Sequence, residues 1–165
     1  MNWVIVGLGA NISDPMEQLA TAHRSLTEHA DLAIAATSSV YVSPPLGPQD
    51  QPDFFNAVAT LSTTLKPDAL LELLLATEDA MGRQRTRKWG ERCIDLDLLV
   101  YNDLQMDSES LVIPHPRAHQ RRFVLEPLIE LLGERFELPG KGALGLLRAQ
   151  CADQKIRVLC EFPGC

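Results

Sequence analysis

Apolar and polar residues alternate along this chain in short stretches of two kinds. Trp3 to Leu8 is an apolar run ending among Gly7 and Gly9, the pattern of a buried strand. Pro15 then opens a helix, with Asp14 or Ser13 as its N-cap and Leu19, Ala22, Leu26 and Ala30 as its apolar face. Leu32 to Val42 is rich in β-branched residues (Ile34, Thr37, Val40, Val42) and predicts a second strand, stopped by Pro44-Pro45. Phe54 to Leu65 alternates Phe55, Ala57, Ala59 and Leu61 with Asn56, Thr60 and Ser62 and predicts a third. Pro67 begins a second helix, whose stretch ALLELLLATEDAM is apolar nearly all round and predicts packing on two sides. Ile94 to Tyr101 is the fourth strand, followed by a turn at Asn102-Asp103, a short strand LVIP and a helical segment from Phe123 to Leu132.

The order strand, helix, strand, strand, helix, strand predicts an α+β fold of the ferredoxin-like, split βαβ plan. That plan is an antiparallel four-stranded sheet with two helices on one face, here with C-terminal additions. The chain has no internal repeat or low-complexity stretch, and its proline-rich pieces are too short for domain linkers. Its 165 residues therefore predict a single domain spanning 1–165. A chain of this size buries about 68–70% of its unfolded surface and needs no disulfide or metal staple.

The net charge of -7 argues against wholesale binding to nucleic acid or an anionic membrane, because both need a surplus of Lys and Arg. The start, MNWVIVGLGA, has no basic residue ahead of an apolar run, and nothing approaches about 18 uninterrupted apolar residues. A cytoplasmic protein is expected. Cys93, Cys151, Cys160 and Cys165 lie far from any C-x-x-C spacing, so reduced thiols are expected and a zinc site is not.

One region changes this acidic picture. Arg83, Arg85, Arg87, Lys88 and Arg92 place five of the 15 basic residues directly ahead of Asp95 and Asp97. Two residues apart in a strand, the aspartates project from one face while Ile94, Leu96 and Leu98 project from the other. Their Cβ atoms then stand roughly 6.5 to 7 Å apart, a spacing from which carboxylates can share Mg²⁺ ions. A basic loop running into paired carboxylates suits polyphosphate transfer, since guanidinium forks neutralise phosphate oxygens and carboxylate-held Mg²⁺ bridges them. The bland alternative is a solvated charged turn beside a strand with a wet face.

Other motifs narrow the chemistry. Gly7-Leu8-Gly9-Ala10-Asn11 follows a strand, but Ile12 stands where a dinucleotide-binding turn needs its third glycine. No G-x-x-x-x-G-K-[ST] is present, so side chains must hold any phosphates. Ser43 to Asp53 carries four prolines and one glycine in eleven residues. This stiff loop, ending in Phe54 and Asn56, can present backbone groups to a flat heterocycle or serve as an ordinary connection. His115 between Pro114 and Pro116 reads either as structural or as part of a site with Arg121 and Phe123. Aromatic residues are 5% of the chain, so a stacking platform has to come from Phe54, Phe123, Trp89 and few others.

These blocks together resemble the 6-hydroxymethyl-7,8-dihydropterin pyrophosphokinase family of folate biosynthesis. The resemblance rests on K-W-G-E-R-C-I-D-L-D-L-L (Lys88 to Leu99), G-L-G-A-N near the start, S-P-P-L-G-P-Q-D-Q-P-D-F-F-N (Ser43 to Asn56), and I-P-H-P with R-x-F at Arg121 to Phe123. It covers most of residues 3 to 130. It implies an ATP- and Mg²⁺-dependent transfer of the β,γ-pyrophosphoryl group to the pterin hydroxymethyl oxygen, giving AMP and the pterin pyrophosphate. By the same resemblance, Asp95 and Asp97 bind two Mg²⁺ ions, and Arg83 and Arg92 are the catalytic cations on the triphosphate, joined by His115 and Arg121. Arg85 and Trp89 ride on a closing loop. The pterin lies between Phe54 and Phe123, its edges read by Asn56 and by Ser43, Pro44 and Leu46. Glu78, Leu98 and Val112 look like the adenosine side. Phe54 stands where Tyr is frequent, Lys88 where Arg is, and Ser110 and Pro116 where a basic and an aromatic residue are usual. The resemblance names no general base, implies a monomer with small-molecule partners only, and leaves the tail 151–165 without a role.

Two alternatives stay open at this point. A ligand- or RNA-binding module can use the same sheet plan, although the acidic balance and the lack of an aromatic RNA-binding strand count against it. Another Mg²⁺-dependent nucleotidyl or phosphoryl transferase would release a product other than AMP.

Overall fold

Local sequence sets the ends of the elements. A computed structural model describes residues 1–82 and 88–162; residues 83–87 and 163–165 lie outside the described residues. The first part of the chain forms β1 (Asn2–Ala10), α1 (Pro15–Glu28), β2 (Leu32–Thr37), β3 (Val40–Ser43), β4 (Phe54–Thr63), α2 (Pro67–Ala80) and β5 (Asp95–Tyr101). It continues through β6 (Met106–Asp107), β7 (Val112–Ile113), a 3-10 turn (Ala118–Gln120), α3 (Arg122–Leu132), β8 (Glu137–Leu138), β9 (Gly142–Ala143), α4 (Leu144–Ala149) and β10 (Arg157–Cys160). Asp14 caps α1, its side chain accepting from the Glu17 N–H at 3.4 Å, and Pro15 opens the first turn. The helix ends at Glu28, so Ala30 falls in the following turn and not on the helical face expected for it.

The main sheet is antiparallel throughout, in the order β10-β3-β4-β1-β5, with β2 also on β4. β1 lies inside it. Val4, Val6 and Leu8 face Leu19, Ala22 and Leu26 of α1 and Leu70 and Leu74 of α2, together with Leu96 and Leu98 of β5. The opposite face carries Ile5, Val58, Leu99 and Val100, covered by Val124, Leu125 and Leu128 of α3 and by Leu144 and Leu147 of α4. α1 and α2 share one face as expected, and the C-terminal helices close the other.

Three expectations are corrected. The single second strand is two, because Ser38 interrupts it: its Oγ accepts from the Val58 N–H at 2.9 Å and donates to the Ser39 carbonyl. Ser39 N–H turns to Glu130 of α3 at 2.8 Å, so side chains take over bonds a regular ladder would make. α2 buries one stripe, Leu70, Leu74 and Glu78, and leaves Leu75 exposed; it is packed on one side. The tail adds β10 to the sheet edge, where Arg157 pairs with Val42. Cys160 is disulfide-bonded and so departs from the expected reduced state, whereas Cys93 and Cys151 are free.

Candidate active site

On the α3 and α4 face of the sheet, side chains cover only half of β1. Trp3 and Ile5 are packed over, and the next two residues on that face are Gly7 and Gly9. Gly7 lies opposite Val58 of β4 and Asp97 of β5; Gly9 lies opposite Asn56 and Asp95. A Cβ on Gly9 would stand 2.6 Å from Asn56 Oδ1, and one on Gly7 3.3 Å from Leu99 Cδ1. The two glycines thus clear a floor between Asn56 and the aspartates. The cavity above it is walled by Ser43, Pro44 and Leu46 after β3, by Phe54, by Trp89 and Arg92, and by Arg117, Arg121 and Phe123.

A second cavity opens beside β5, lined by Leu71, Leu75 and Glu78 of α2, by Leu96 and Leu98, and by Ser110, Val112, His115 and Pro116. Half-buried Leu71, which also packs against the core, and exposed Leu75 line this cavity. Glu78 is fully buried and its Oε1 accepts from the Leu96 N–H at 2.7 Å, tying the end of α2 to β5. Asp95 and Asp97 belong to both cavities, which meet at them.

Electrostatics at the junction is unbalanced in a way that invites a cation and an anion together. Burial, and then the charge of Asp95, push Asp97 up to about 7, against the opposite pull of Arg121 and Arg92. Arg92 Nη1 is 2.5 Å from Asp95 Oδ2. Burial and then Arg121 bring His115 down to about 4, so its ring is neutral. His115 Nδ1 accepts from the Arg117 N–H at 3.2 Å, which leaves the proton of a neutral ring on Nε2 as a donor. Burial also lowers Arg121, which has no carboxylate within ion-pair distance among the described residues.

The carboxylate pair fits a hard dication. Two carboxylates are half or less of a six-ligand oxygen shell, and no group of three or more ligating side chains occurs among the described residues. That is how Mg²⁺ is usually held, with one or two carboxylates and with substrate phosphates and waters supplying the rest. Asp97 is raised by burial first and by the charge of Asp95 second, and a bound cation would oppose both.

Two further polar atoms ask for a ligand. Ser43 Oγ and Asn56 Nδ2 are buried without a hydrogen-bond partner among the described residues, and both residues line the first cavity. An unsatisfied buried group costs about 1–3 kcal/mol, which a hydrogen-bonding ligand edge would offset.

The stiff loop and the basic loop are locked together by residues that the sequence reading assigned no role. Asn11, 2% exposed, donates from Nδ2 to Gln51 Oε1 at 3.0 Å and to the Pro52 carbonyl at 2.9 Å. Its Oδ1 accepts from the Arg92 N–H at 2.9 Å, while its N–H donates to the Arg92 carbonyl. Gln51 Nε2 in turn donates to the Trp89 carbonyl at 2.9 Å. Asn11→Ala is expected to leave these groups unpaired, destabilise the fold by about 1–3 kcal/mol and loosen Arg92. Urea unfolding and steady-state rates check it; wild-type values for both would remove Asn11 from the site's framework.

Of the residues singled out from sequence, Ser43, Pro44, Leu46, Phe54, Asn56, Trp89, Arg92, Asp95, Asp97, Arg121 and Phe123 converge on the first cavity, and Glu78, Leu98, Val112 and His115 on the second. Arg83 and Arg85 lie outside the described residues, as does Arg87. No role follows from sequence for Asn11, Gln51 or Arg117, although Asn11 ends G-L-G-A-N, Gln51 lies within S-P-P-L-G-P-Q-D-Q-P-D-F-F-N and Arg117 directly follows I-P-H-P.

Paired carboxylates where two cavities meet, with Arg117 and Arg121 lining the first and, among the described residues, bound to no carboxylate, are the kinds of group that phosphoryl transfer uses, here on an antiparallel α+β sheet. Residues 5–133 match the model of the 7,8-dihydro-6-hydroxymethylpterin-pyrophosphokinase (HPPK) family, and the chain belongs to that family. A 2-amino-4-hydroxy-6-hydroxymethyldihydropteridine pyrophosphokinase of Haemophilus influenzae is 43% identical over 151 residues, 92% of this chain and 94% of that protein. One of Pseudomonas aeruginosa is 40% identical over 161 residues, 98% of this chain and 97% of that protein. The fold is similar to that of a Plasmodium falciparum HPPK-DHPS structure, with TM-score 0.69 and 16% identity, over 91% of this chain and 43% of that longer one. This chain is accordingly a transferase of folate biosynthesis that moves a pyrophosphoryl group from ATP to the hydroxymethyldihydropterin.

Proposed function

We propose that the two cavities hold the two substrates, with the reaction at the aspartates between them. The meeting of both cavities at Asp95 and Asp97 carries this reading. In the first, the pterin stacks between Phe54 and Phe123, and its polar edges satisfy Asn56 Nδ2 and Ser43 Oγ beside Pro44 and Leu46. In the second, adenosine lies near Glu78, Leu98 and Val112. The triphosphate then crosses to Arg92, His115 and Arg121, with Arg83 and Arg85 added from the basic loop. Asp95 and Asp97 hold two Mg²⁺ ions, which when bound neutralise polyphosphate charge.

The hydroxymethyl group is a poor nucleophile, but in a loose transition state positioning and charge neutralisation do most of the work. No general base is assigned. Arg92 exchanges its bond to Asp95 for phosphate oxygens, His115 donates from Nε2, and Trp89 closes over the first cavity to exclude water. The strand order, with β5 and β4 flanking β1 and the split strand β2 and β3 beyond, supports the ferredoxin-like plan. β10 joining the same sheet supports one working domain over 1–165. A monomer is part of the same proposal. No helix among the described residues is long and apolar enough to cross a membrane. A cytoplasmic enzyme without nucleic-acid or membrane partners is part of the proposal, on the ground of the net charge of -7.

Incubation with ATP, Mg²⁺ and 6-hydroxymethyl-7,8-dihydropterin, followed by separation of the nucleotides, tests the reading. AMP is expected, only when the pterin is present. ADP as product would overturn it.

A further inference from the structure

Arg117 has no role in the reading above, yet its position is specific. It follows Pro114-His115-Pro116, and its N–H is fixed on His115 Nδ1 at 3.2 Å. From there its guanidinium carbon stands 4.6 Å from the centroid of the Trp89 ring, within cation–π range. Trp89 is held at two other points, with its carbonyl on Gln51 Nε2 and its Cβ against Gly47, where even a methyl group would approach to 2.6 Å. Lys88 Nζ, next to Trp89 in sequence, stands 5.2 Å from the same centroid, so Arg117 is the cation that a second segment brings to the indole.

Its charge is uncompensated. Arg92 has Asp95, Arg122 has Glu126 and Arg148 has Glu134, whereas Arg117 has no carboxylate within ion-pair distance among the described residues. It lines the cavity with Asp97 and Arg121, and its positive charge is one reason Arg121 is lowered. Two guanidinium groups that repel each other across an open cavity are both relieved by one anion.

We propose that Arg117 is a latch for the Trp89 segment, holding the indole by its planar face and set by the polyphosphate that its free N–H groups meet. It is a positioning residue for closure as well as a phosphate contact, and this role rests on the two-cavity reading. Bound polyphosphate offsets the repulsion between Arg117 and Arg121 and so strengthens the contact with Trp89 that the structure already shows. The Lys88 ammonium belongs to Trp89's own segment and cannot tie it to another; at position 117 a planar cation is required, because an ammonium group there supplies charge without a stacking fork.

The test compares wild type, Arg117→Ala and Arg117→Lys for turnover, for KM of each substrate, and for iodide quenching of Trp89 fluorescence. Quenching is read with pterin and a non-hydrolysable ATP analogue bound, against Trp89→Phe as the blank for Trp3. Arg117→Ala is expected to keep the wild-type melting temperature, since Arg117 is exposed. Its kcat should fall roughly 10- to 100-fold, the range for losing a charge-assisted contact, and Trp89 should become open to iodide in the ternary complex. Arg117→Lys should recover the KM for ATP but leave Trp89 accessible. Wild-type protection of Trp89 in Arg117→Ala, or full recovery of protection in Arg117→Lys, would overturn the latch. Failure of wild type itself to form AMP would instead overturn the two-cavity reading, so the two failures are distinguishable.

Discussion

Replacing Asp97 by Ala is expected to reduce AMP formation by about a thousandfold or more. Metal stabilisation of a phosphoryl transition state is worth several kcal/mol, and each 1.4 kcal/mol or so is a factor of ten. Asp95→Ala should do the same, and the double variant should lose little more than either single one, because the two carboxylates act as a unit. Pterin binding without Mg²⁺, followed by calorimetry, should stay near wild type. The fold should not suffer. Asp97 is raised above its unfolded value, so its contribution is fully present below about pH 4 and is lost as pH rises through the folded value. In metal-free buffer, Asp97→Asn should therefore gain melting temperature relative to wild type between pH 5 and 8. A variant that melts well below wild type at pH 8, or that retains Mg²⁺-dependent turnover, would contradict this account of the pair.

Gly9→Ala is expected to raise the KM for the pterin by roughly 10- to 100-fold, the worth of one displaced, unsatisfied polar contact, with little change in the KM for ATP. The added methyl would meet Asn56 Oδ1 at 2.6 Å, and Asn56, buried in β4, can yield only by leaving the cavity floor. Gly7→Ala is the internal control. Its methyl would meet Leu99 Cδ1 at 3.3 Å, the flexible end of a side chain, so a milder effect is expected. Initial rates over a grid of both substrates read the comparison. Equal effects at the two glycines, or an effect on ATP alone, would show that the floor does not belong to the pterin side.

Much of this site was legible because its main residues lie close together on regular elements. In β5 the period of two puts Asp95 and Asp97 on one face and Leu96 and Leu98 in the core, as the structure has them. The four prolines after Ser43 marked a stiff loop, and its residues do wall the cavity. The missing parts depend on contacts between distant segments. Asn11 reaches Gln51 and Arg92 across 40 and 81 positions, and nothing near Asn11 distinguishes it from any turn asparagine. The break at Ser38–Ser39 required Val58 and Glu130 to be alongside. β10 has no amphipathic alternation, with Arg157, Val158 and Leu159 all exposed, so only pairing with β3 makes it a strand.

Local conformation could thus be read along the chain: the carboxylate pair on its strand and the aromatics Phe54 and Phe123 that line the first cavity. Those features arise from residues within a few positions of one another, where periodicity and proline geometry act directly. Which charges end up paired, which polar atoms are left without partners, and which glycines form a floor were settled only by tertiary packing. Arg92 meets Asp95 while, among the described residues, Arg117 and Arg121 meet no carboxylate within ion-pair distance, although all three are arginines beside the same cavity. The reason is physical: burial and pairing energies depend on distance through space, and the register of β1 between β4 and β5 sets those distances.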